Sequence, residues 1–185
     1  MLETACKQLA VWASHTEMSQ LTLAVNVSAR QFSQPDFVHQ VQTVMLNTGA
    51  NPYRLKLELT ESMLADNIED IIEKMFLLKA KGVGFSLDDF GTGYSSLSYL
   101  KRLPLDQLQI DRSFVGDIMI DAKDAAIAKT VIALAQNLGM GVIAEGVETE
   151  AQSVFLAAMG CHACQGYFFS RPLPLEAFEK FVQQD

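Results

Sequence analysis

Two hydrophobic rhythms alternate along this chain. Leu2, Ala5, Cys6, Leu9, Trp12 and Ala13 recur at the three-and-four spacing that lines one side of a helix. The run Leu21-Thr22-Leu23-Ala24-Val25-Asn26-Val27 predicts a strand. Ser33 and Asp36 flank Pro35, a composition that starts helices, and Phe37, Val41, Val44 and Met45 mark the face of a helix that Gly49 stops. The alternation continues with a strand at Leu55–Leu59. A helix follows through Ile68, Ile71, Ile72, Met75 and Leu78 to Gly82, and then a strand over Val83 to Asp88. A short helix near Ser95 to Arg102 is broken by Pro104 and leads to a strand at Gln107–Ile110. A helix through Ile127, Thr130, Val131, Leu134 and Leu138 closes at Gly139, and a strand occupies Gly141–Ala144. Val154, Phe155, Ala158 and Met159 predict a helix that stops at Gly160. A sixth strand is expected over Gln165 to Phe169, and a last helix through Leu175, Phe178, Phe181 and Val182.

A leading helix followed by six strand–helix units predicts an α/β fold with a parallel sheet covered by helices. No linker or low-complexity tract interrupts the pattern, so one compact unit is expected. Six units suit an open doubly wound sheet or most of a (β/α) barrel, and periodicity does not choose between them.

Parallel strands are buried on both faces, so polar residues inside them are informative. Here they gather at the C-terminal ends. Asn26 and Glu58 sit near the ends of the first two strands, Asp88 and Asp89 close the third, and Gln109 and Asp111 close the fourth. Glu145 follows the fifth strand with Glu148 three residues on, while Gln165 opens the sixth. Strand phase groups these positions. Leu55, Leu57 and Leu59 share one face against Lys56 and Glu58, and Phe85 and Leu87 oppose Ser86 and Asp88. Leu108 and Ile110 oppose Gln107 and Gln109. If the apolar faces meet the helices, Glu58, Asp88 and Gln109 turn toward a common centre, at the edge where α/β proteins place their chemistry. Converging carboxylates repel unless they hold cations or protons. Oxygen ligands of this kind suit Mg²⁺ or Mn²⁺, and two such ions can assist phosphodiester hydrolysis.

Charge supports a metal. The 185 residues hold 14 Lys and Arg against 22 Asp and Glu, a formal net charge of −8. Such a chain is a poor partner for nucleic acid or for an anionic membrane surface. If it handles phosphate, a cation must supply much of the positive charge. Hydrophobic residues make up 49% and charged residues 19%, enough for a core and against disorder. No stretch approaches the roughly 18 apolar residues of a membrane span, the N-terminus lacks signal-peptide features, and an odd count of three cysteines argues against a disulfide framework. A cytoplasmic protein without direct membrane insertion is expected.

Other motifs carry less. Asp89-Phe90-Gly91 matches the kinase metal triplet in letters only, since the Gly-rich loop, lysine strand and catalytic loop are absent. Gly91-Thr92-Gly93 lacks a third glycine for a dinucleotide loop. Cys161-His162-Ala163-Cys164 is one cysteine pair with no second pair, weak grounds for zinc. His15 and His39 read as ordinary helix residues, and Met63 and Met75 as core fillers.

Six segments together resemble the EAL domain of cyclic di-GMP phosphodiesterases. They are Val25-Asn26-Val27-Ser28-Ala29-Arg30-Gln31, Leu57-Glu58-Leu59-Thr60-Glu61-Ser62, Asp88-Asp89-Phe90-Gly91-Thr92-Gly93, Ile110-Asp111-Arg112-Ser113-Phe114-Val115, Ala144-Glu145-Gly146-Val147-Glu148-Thr149 and Gln165-Gly166-Tyr167. The resemblance runs in order over nearly the whole chain. It implies a modified TIM barrel that hydrolyses the bacterial second messenger cyclic di-GMP to linear pGpG with Mg²⁺ or Mn²⁺. By position it makes Asn26, Glu58 and Asp88 metal ligands, and Asp89 a ligand of a second metal or an orienter of the attacking water. Glu145 resembles the general base, Glu148 and Gln165 resemble ligand contacts, and Glu61 resembles the residue that holds the Asp-Asp loop. That loop and the helix after it form the family's usual dimer contact.

Two departures qualify the resemblance. The Glu-Ala-Leu segment that names the family is absent, with an arginine that helps hold the ligand, and the resemblance places both N-terminal to Met1. The chain is therefore expected to be a single EAL-type domain, residues 1–185, lacking its N-terminal part and its first two strands. The family's catalytic lysine aligns with Gln109, which carries no charge. Impaired turnover is expected, the alternative being a degenerate module that binds cyclic di-GMP or a protein partner without cleaving it. Leu21–Val27 and the sixth strand would be apolar edges that invite a homodimer or a strand-exchanged oligomer. Fused sensory or GGDEF-type domains in a longer, membrane-anchored protein are consistent with the family.

Overall fold

The computed structural model describes all residues except 66, 92–96 and 184–185. Among the described residues six strands follow one another across the sheet in chain order, and every described pairing register is parallel. A closed TIM barrel has eight such units. The chain divides into two compact units. The first comprises Met1–Leu59, Asp66–Phe85 and Leu173–Asp185, and the second Thr60–Ala65 and Ser86–Pro172.

In the first unit, α1 (Leu2–Trp12) precedes β1 (Leu23–Asn26), α2 (Ala29–Phe32), α3 (Phe37–Thr48), β2 (Leu55–Thr60) and α4 (Ile68–Lys79). β1 pairs with β2 from Leu23↔Leu55 to Asn26↔Glu58. Alternation along β2 is as expected: Leu55, Leu57 and Leu59 are buried, while Lys56 and Glu58 are half-buried. α3 ends where Gly49 takes a left-handed φ of 72°, a conformation that costs glycine nothing. The C-terminal helix α9 (Leu175–Val182) closes onto α1. The Phe178 and Trp12 ring centroids lie 5.7 Å apart, and Glu179 accepts from Trp12 Nε1 at 2.8 Å and Gln8 Nε2 at 3.0 Å.

The helix α2 was not expected, although its start was written in the chain. Ser28 and Gln31 form a capping box, each side chain accepting the other's backbone N–H. Lys74 of α4 ties this helix down. Its side chain is buried, donates from Nζ to the Phe32 carbonyl at 3.0 Å, and pairs with Asp70 one turn earlier at 2.8 Å.

The second unit receives β3 (Gly84–Phe90) from Ser86 onward and continues through α5 (Leu97–Leu100), β4 (Gln107–Ile110), α6 (Arg112–Gly116), α7 (Ala122–Asn137), β5 (Gly141–Ala144), α8 (Glu150–Ala158) and β6 (Ala163–Cys164). β4 and β5 have the expected bounds. The expected helix start at Ser95 and Ser96 lies outside the described residues.

One expectation is corrected. The sixth strand is Ala163–Cys164, not Gln165 to Phe169. Gln165 extends the ladder by one bond, from its N–H to the Ala144 carbonyl at 2.8 Å. Gly166 then turns the chain at φ 154°, in a space where a Cβ would lie 2.2 Å from the Val147 carbonyl oxygen. Tyr167, Phe168 and Phe169 are left exposed, so their strand-like composition misled. α8 buries Gln152 and Leu156, while Val154 is 63% exposed. α7 buries Ala128, Val131, Ile132 and Ala135 and leaves Thr130 exposed. In both helices the small residues allow a rotation that the spacing of the large ones hides. Among the described residues, no helix is long and apolar enough to cross a membrane.

Replacing Lys74 by Met keeps the aliphatic stem but strands the Phe32 carbonyl. Losing a charged hydrogen bond to a buried partner should cost about 1–3 kcal/mol. Urea denaturation reads this directly, and an unchanged midpoint would show that Lys74 does not tie α4 to α2.

Candidate active site

The polar strand ends can be followed within each unit. In the first, the parallel register puts Asn26 beside Glu58, and Val27 donates its N–H to the Glu58 carbonyl at 3.0 Å. Neighbouring strands lie roughly 4.8 Å apart, so two oxygen-bearing side chains share one level. Glu58 is half-buried and Asn26 exposed.

In the second unit the decisive feature is a β-bulge. Leu87 faces Leu108, but the next paired residue, Phe90, faces Ile110. Two residues of β3, Asp88 and Asp89, therefore stand against one residue of β4, Gln109. A bulge breaks the alternation of side chains and re-aims them. Asp89 adopts a left-handed φ of 56°, uncommon outside glycine but tolerated by aspartate, and its N–H donates to Asp88 Oδ1 at 2.7 Å. Just beyond, Gly91 donates its N–H to Glu61 Oε2 at 3.0 Å. Glu61 is 5% exposed, a buried acid spent on a backbone amide.

Charge accumulates here. Burial, and then the neighbouring charges of Asp88, Asp111 and Glu61, push the Asp89 carboxyl above the usual aspartate range. Gln109 is 2% exposed, and its Nε2 donates to Ser86 Oγ at 3.1 Å. Along the same strand edge, Glu145 donates its N–H to the Ile110 carbonyl at 3.1 Å, and its carboxylate accepts from Gln165 Nε2 at 2.6 Å. The backbone N–H groups of Glu148 and Thr149 both donate to Gln152 Oε1, at 2.8 and 2.9 Å.

The residues singled out in the sequence thus fall into three groups: Asn26 with Glu58, Asp88 and Asp89 with Glu61 and Gln109, and Glu145 with Gln165. Glu148 is held by its backbone. Gln152 is not among them, although Thr149-x-x-Gln152 carries the spacing of a capping box. The donors, carboxylate and amide oxygens, are of the kind that hard divalent cations take. In number they stay paired: among the described residues, no group of three or more His, Cys, Asp or Glu side chains could hold a metal ion.

The domain model of the EAL family matches residues 1–172. The chain belongs to the EAL domain family. It is 45% identical over 185 residues to the cyclic di-GMP phosphodiesterase NbdA of Pseudomonas aeruginosa, covering 99% of this chain and 23% of that protein. It is 43% identical over 178 residues to the bifunctional diguanylate cyclase/cyclic di-GMP phosphodiesterase MucR of the same species, covering 95% and 26%. The chain therefore spans about a quarter of the length of these curated relatives. Among solved structures, the PaMucR phosphodiesterase–cyclic di-GMP complex matches with a TM-score of 0.90 at 43% identity, over 96% of this chain and 71% of that one. A Klebsiella pneumoniae BlrP1 complex with manganese and cyclic di-GMP matches with a TM-score of 0.80 at 30% identity, over 92% and 44%. The fold is accordingly an incomplete TIM-type (β/α) arrangement of the EAL kind.

A carboxyl with a raised pKa holds its proton more tightly in the folded chain than in the unfolded one. Its ionisation therefore removes stability as pH rises past the ordinary aspartate range. In EDTA, Asp89→Asn should melt above the wild type at pH 7, and the gap should close as pH falls below the ordinary value of 3.8. A variant that melts at or below the wild type at pH 7 would contradict this account of the bulge.

Proposed function

We propose that this chain is the EAL phosphodiesterase domain of a bacterial second-messenger protein, acting on cyclic di-GMP with turnover impaired by Gln109. The acidic bulge retained beside an uncharged Gln109 carries the reading. Asn26 and Glu58, and Asp88 and Asp89, are the oxygen donors assigned to Mg²⁺ or Mn²⁺. When bound, such ions would polarise a phosphate oxygen and acidify the attacking water. Glu145 is assigned as general base, and the Gln165 amide on its carboxylate orients it. Gln165 and Glu148 are assigned to nucleotide contact, and Glu61 holds the loop after the bulge. The overall change adds water across one phosphodiester bond, giving linear pGpG.

Gln109 stands where the family resemblance puts a lysine, and its amide nitrogen is engaged with Ser86. It offers no positive charge to a phosphate. Loss of one preorganised transition-state contact costs roughly 10²–10³ in rate. The same observation favours a second reading, a module that binds cyclic di-GMP or a protein partner without hydrolysis. Residues 1–185 are read as one EAL-type domain in a cytoplasmic setting, fused to sensory or GGDEF-type domains in a longer protein. The outer edge of β1 supports dimerisation or strand exchange, which light scattering would detect.

Cyclic di-GMP incubated with the protein and Mn²⁺ or Mg²⁺ should bind, by calorimetry, with little pGpG formed. Gln109→Lys places an ammonium beside Asp88 and Asp89 and should raise turnover by up to roughly 10²–10³. No gain would move the defect elsewhere, rapid turnover by the wild type would contradict impairment, and neither binding nor turnover would overturn the assignment.

A further inference from the structure

Gln152 spends its whole side-chain hydrogen-bonding capacity across three segments of the second unit. A carboxamide can donate two hydrogen bonds and accept two. Oε1 of Gln152 accepts from Glu148 N–H at 2.8 Å and Thr149 N–H at 2.9 Å. Nε2 donates to the Val115 carbonyl at 3.1 Å and the Gly116 carbonyl at 3.0 Å. The residue is 6% exposed. A capping box needs only the Thr149 bond. The bonds to Val115 and Gly116 do something further: they reach carbonyls at the C-terminal end of α6, where the Val115 carbonyl also accepts the Ile118 N–H at 3.4 Å.

α6 is gripped elsewhere as well. Gly146, at φ 71°, lies so close that a Cβ there would come 2.6 Å from Arg112 Cβ. A Cβ on Gly91, the residue after the bulge, would meet Phe114 of α6 at 3.4 Å. The helix cap Asp111 accepts from Ser113 N–H at 2.9 Å, and its charge reaches Asp89. One short helix therefore lies beside Gly91, just past the acidic bulge, on one flank and beside the segment 145–149 on another.

We propose that Gln152 is a positioning residue that fixes the Glu145–Thr149 loop on α6 and, through α6, against the Asp88–Asp89 bulge. The relevance to catalysis rests on the functional reading above, while the mechanical link stands on the hydrogen bonds themselves. The loop has little freedom apart from this joint. Glu145 N–H is bonded to Ile110, and Val147 N–H to the Gln165 carbonyl at 3.1 Å. Releasing the Gln152 amide frees the end that carries Glu148.

Gln152→Glu separates this role from plain helix capping. The glutamate keeps both acceptor bonds and suits the first turn of a helix electrostatically, so α8 should fold as well as before. It loses both donor bonds and sets a carboxylate against two carbonyls. In the intact protein we expect a lower melting temperature, because two carbonyls lose their donor and face a buried carboxylate, together with displaced backbone amide resonances at Asp89 and Gly91. Cyclic di-GMP affinity measured with Mn²⁺ should fall roughly 10–100-fold, the usual effect of removing a group that orients site residues. Gln152→Ala should show the same displacements with a lower melting temperature. Resonance changes confined to residues 115–117 and 145–156, with affinity unchanged, would overturn the proposal. If the wild type itself binds no cyclic di-GMP, the functional reading fails, and the Asp89 and Gly91 resonances still decide the positioning role.

Discussion

One extra residue in β3 sets the terms for the polar edge of the second unit. Placing Asp88 and Asp89 against Gln109 concentrates like charge on a half-buried ladder, and the chain has to hold that arrangement against electrostatic and backbone cost. A left-handed aspartate costs on the order of 1 kcal/mol or more and persists only when its surroundings over-determine it. The surroundings here are identifiable: Glu61 takes the Gly91 N–H, Asp88 takes the Asp89 N–H, and Phe114 lies against Gly91. Each removes a way for the bulge to relax into a regular strand. Strain and repulsion held together at a strand end are a poor device for stability and a good one for receiving cations, and that asymmetry is the physical case for chemistry at this edge.

Much of this was legible in the sequence. Leu55, Leu57 and Leu59 alternate with polar residues because a strand has a period of two, and burial follows that alternation residue by residue. The bounds of β4 and β5 could be read because Gly, Pro and Asp bracket short apolar runs. The acidic strand ends stood out because polar residues inside parallel strands need a reason. The family resemblance, carried by six ordered segments, agrees with the EAL domain match over residues 1–172.

What could not be read has a common cause: it depends on a partner far away in the chain. The bulge is a relation between Leu87–Phe90 and Leu108–Ile110, and no local pattern on β3 announces it. The inward face of α8 is set by Gln152 reaching Val115 and Gly116, so a polar residue is buried while Val154 is left in solvent. Tyr167, Phe168 and Phe169 have strand-forming side chains, but Gly166 must turn against Val147 before they begin. Local propensity loses wherever a tertiary bond claims the backbone first.

Gln109 shows how fold and chemistry separate at a single position. The fold asks only that the inner residue of β4 be buried with its polar atoms engaged, and the bond to Ser86 Oγ meets that need for the amide nitrogen without any charge. Phosphoryl chemistry asks for more, because the charge that develops on a phosphate oxygen is stabilised by a cation far better than by a neutral amide. A lysine at this position would partly offset the repulsion among Asp88, Asp89 and Asp111, whereas glutamine leaves it in place. Under the proposed reading, glutamine at this position spares the packing, leaves the repulsion at the bulge unrelieved, and offers no charge to a phosphate. A core can in this way stay intact while the polar edge changes, since the two answer to different constraints.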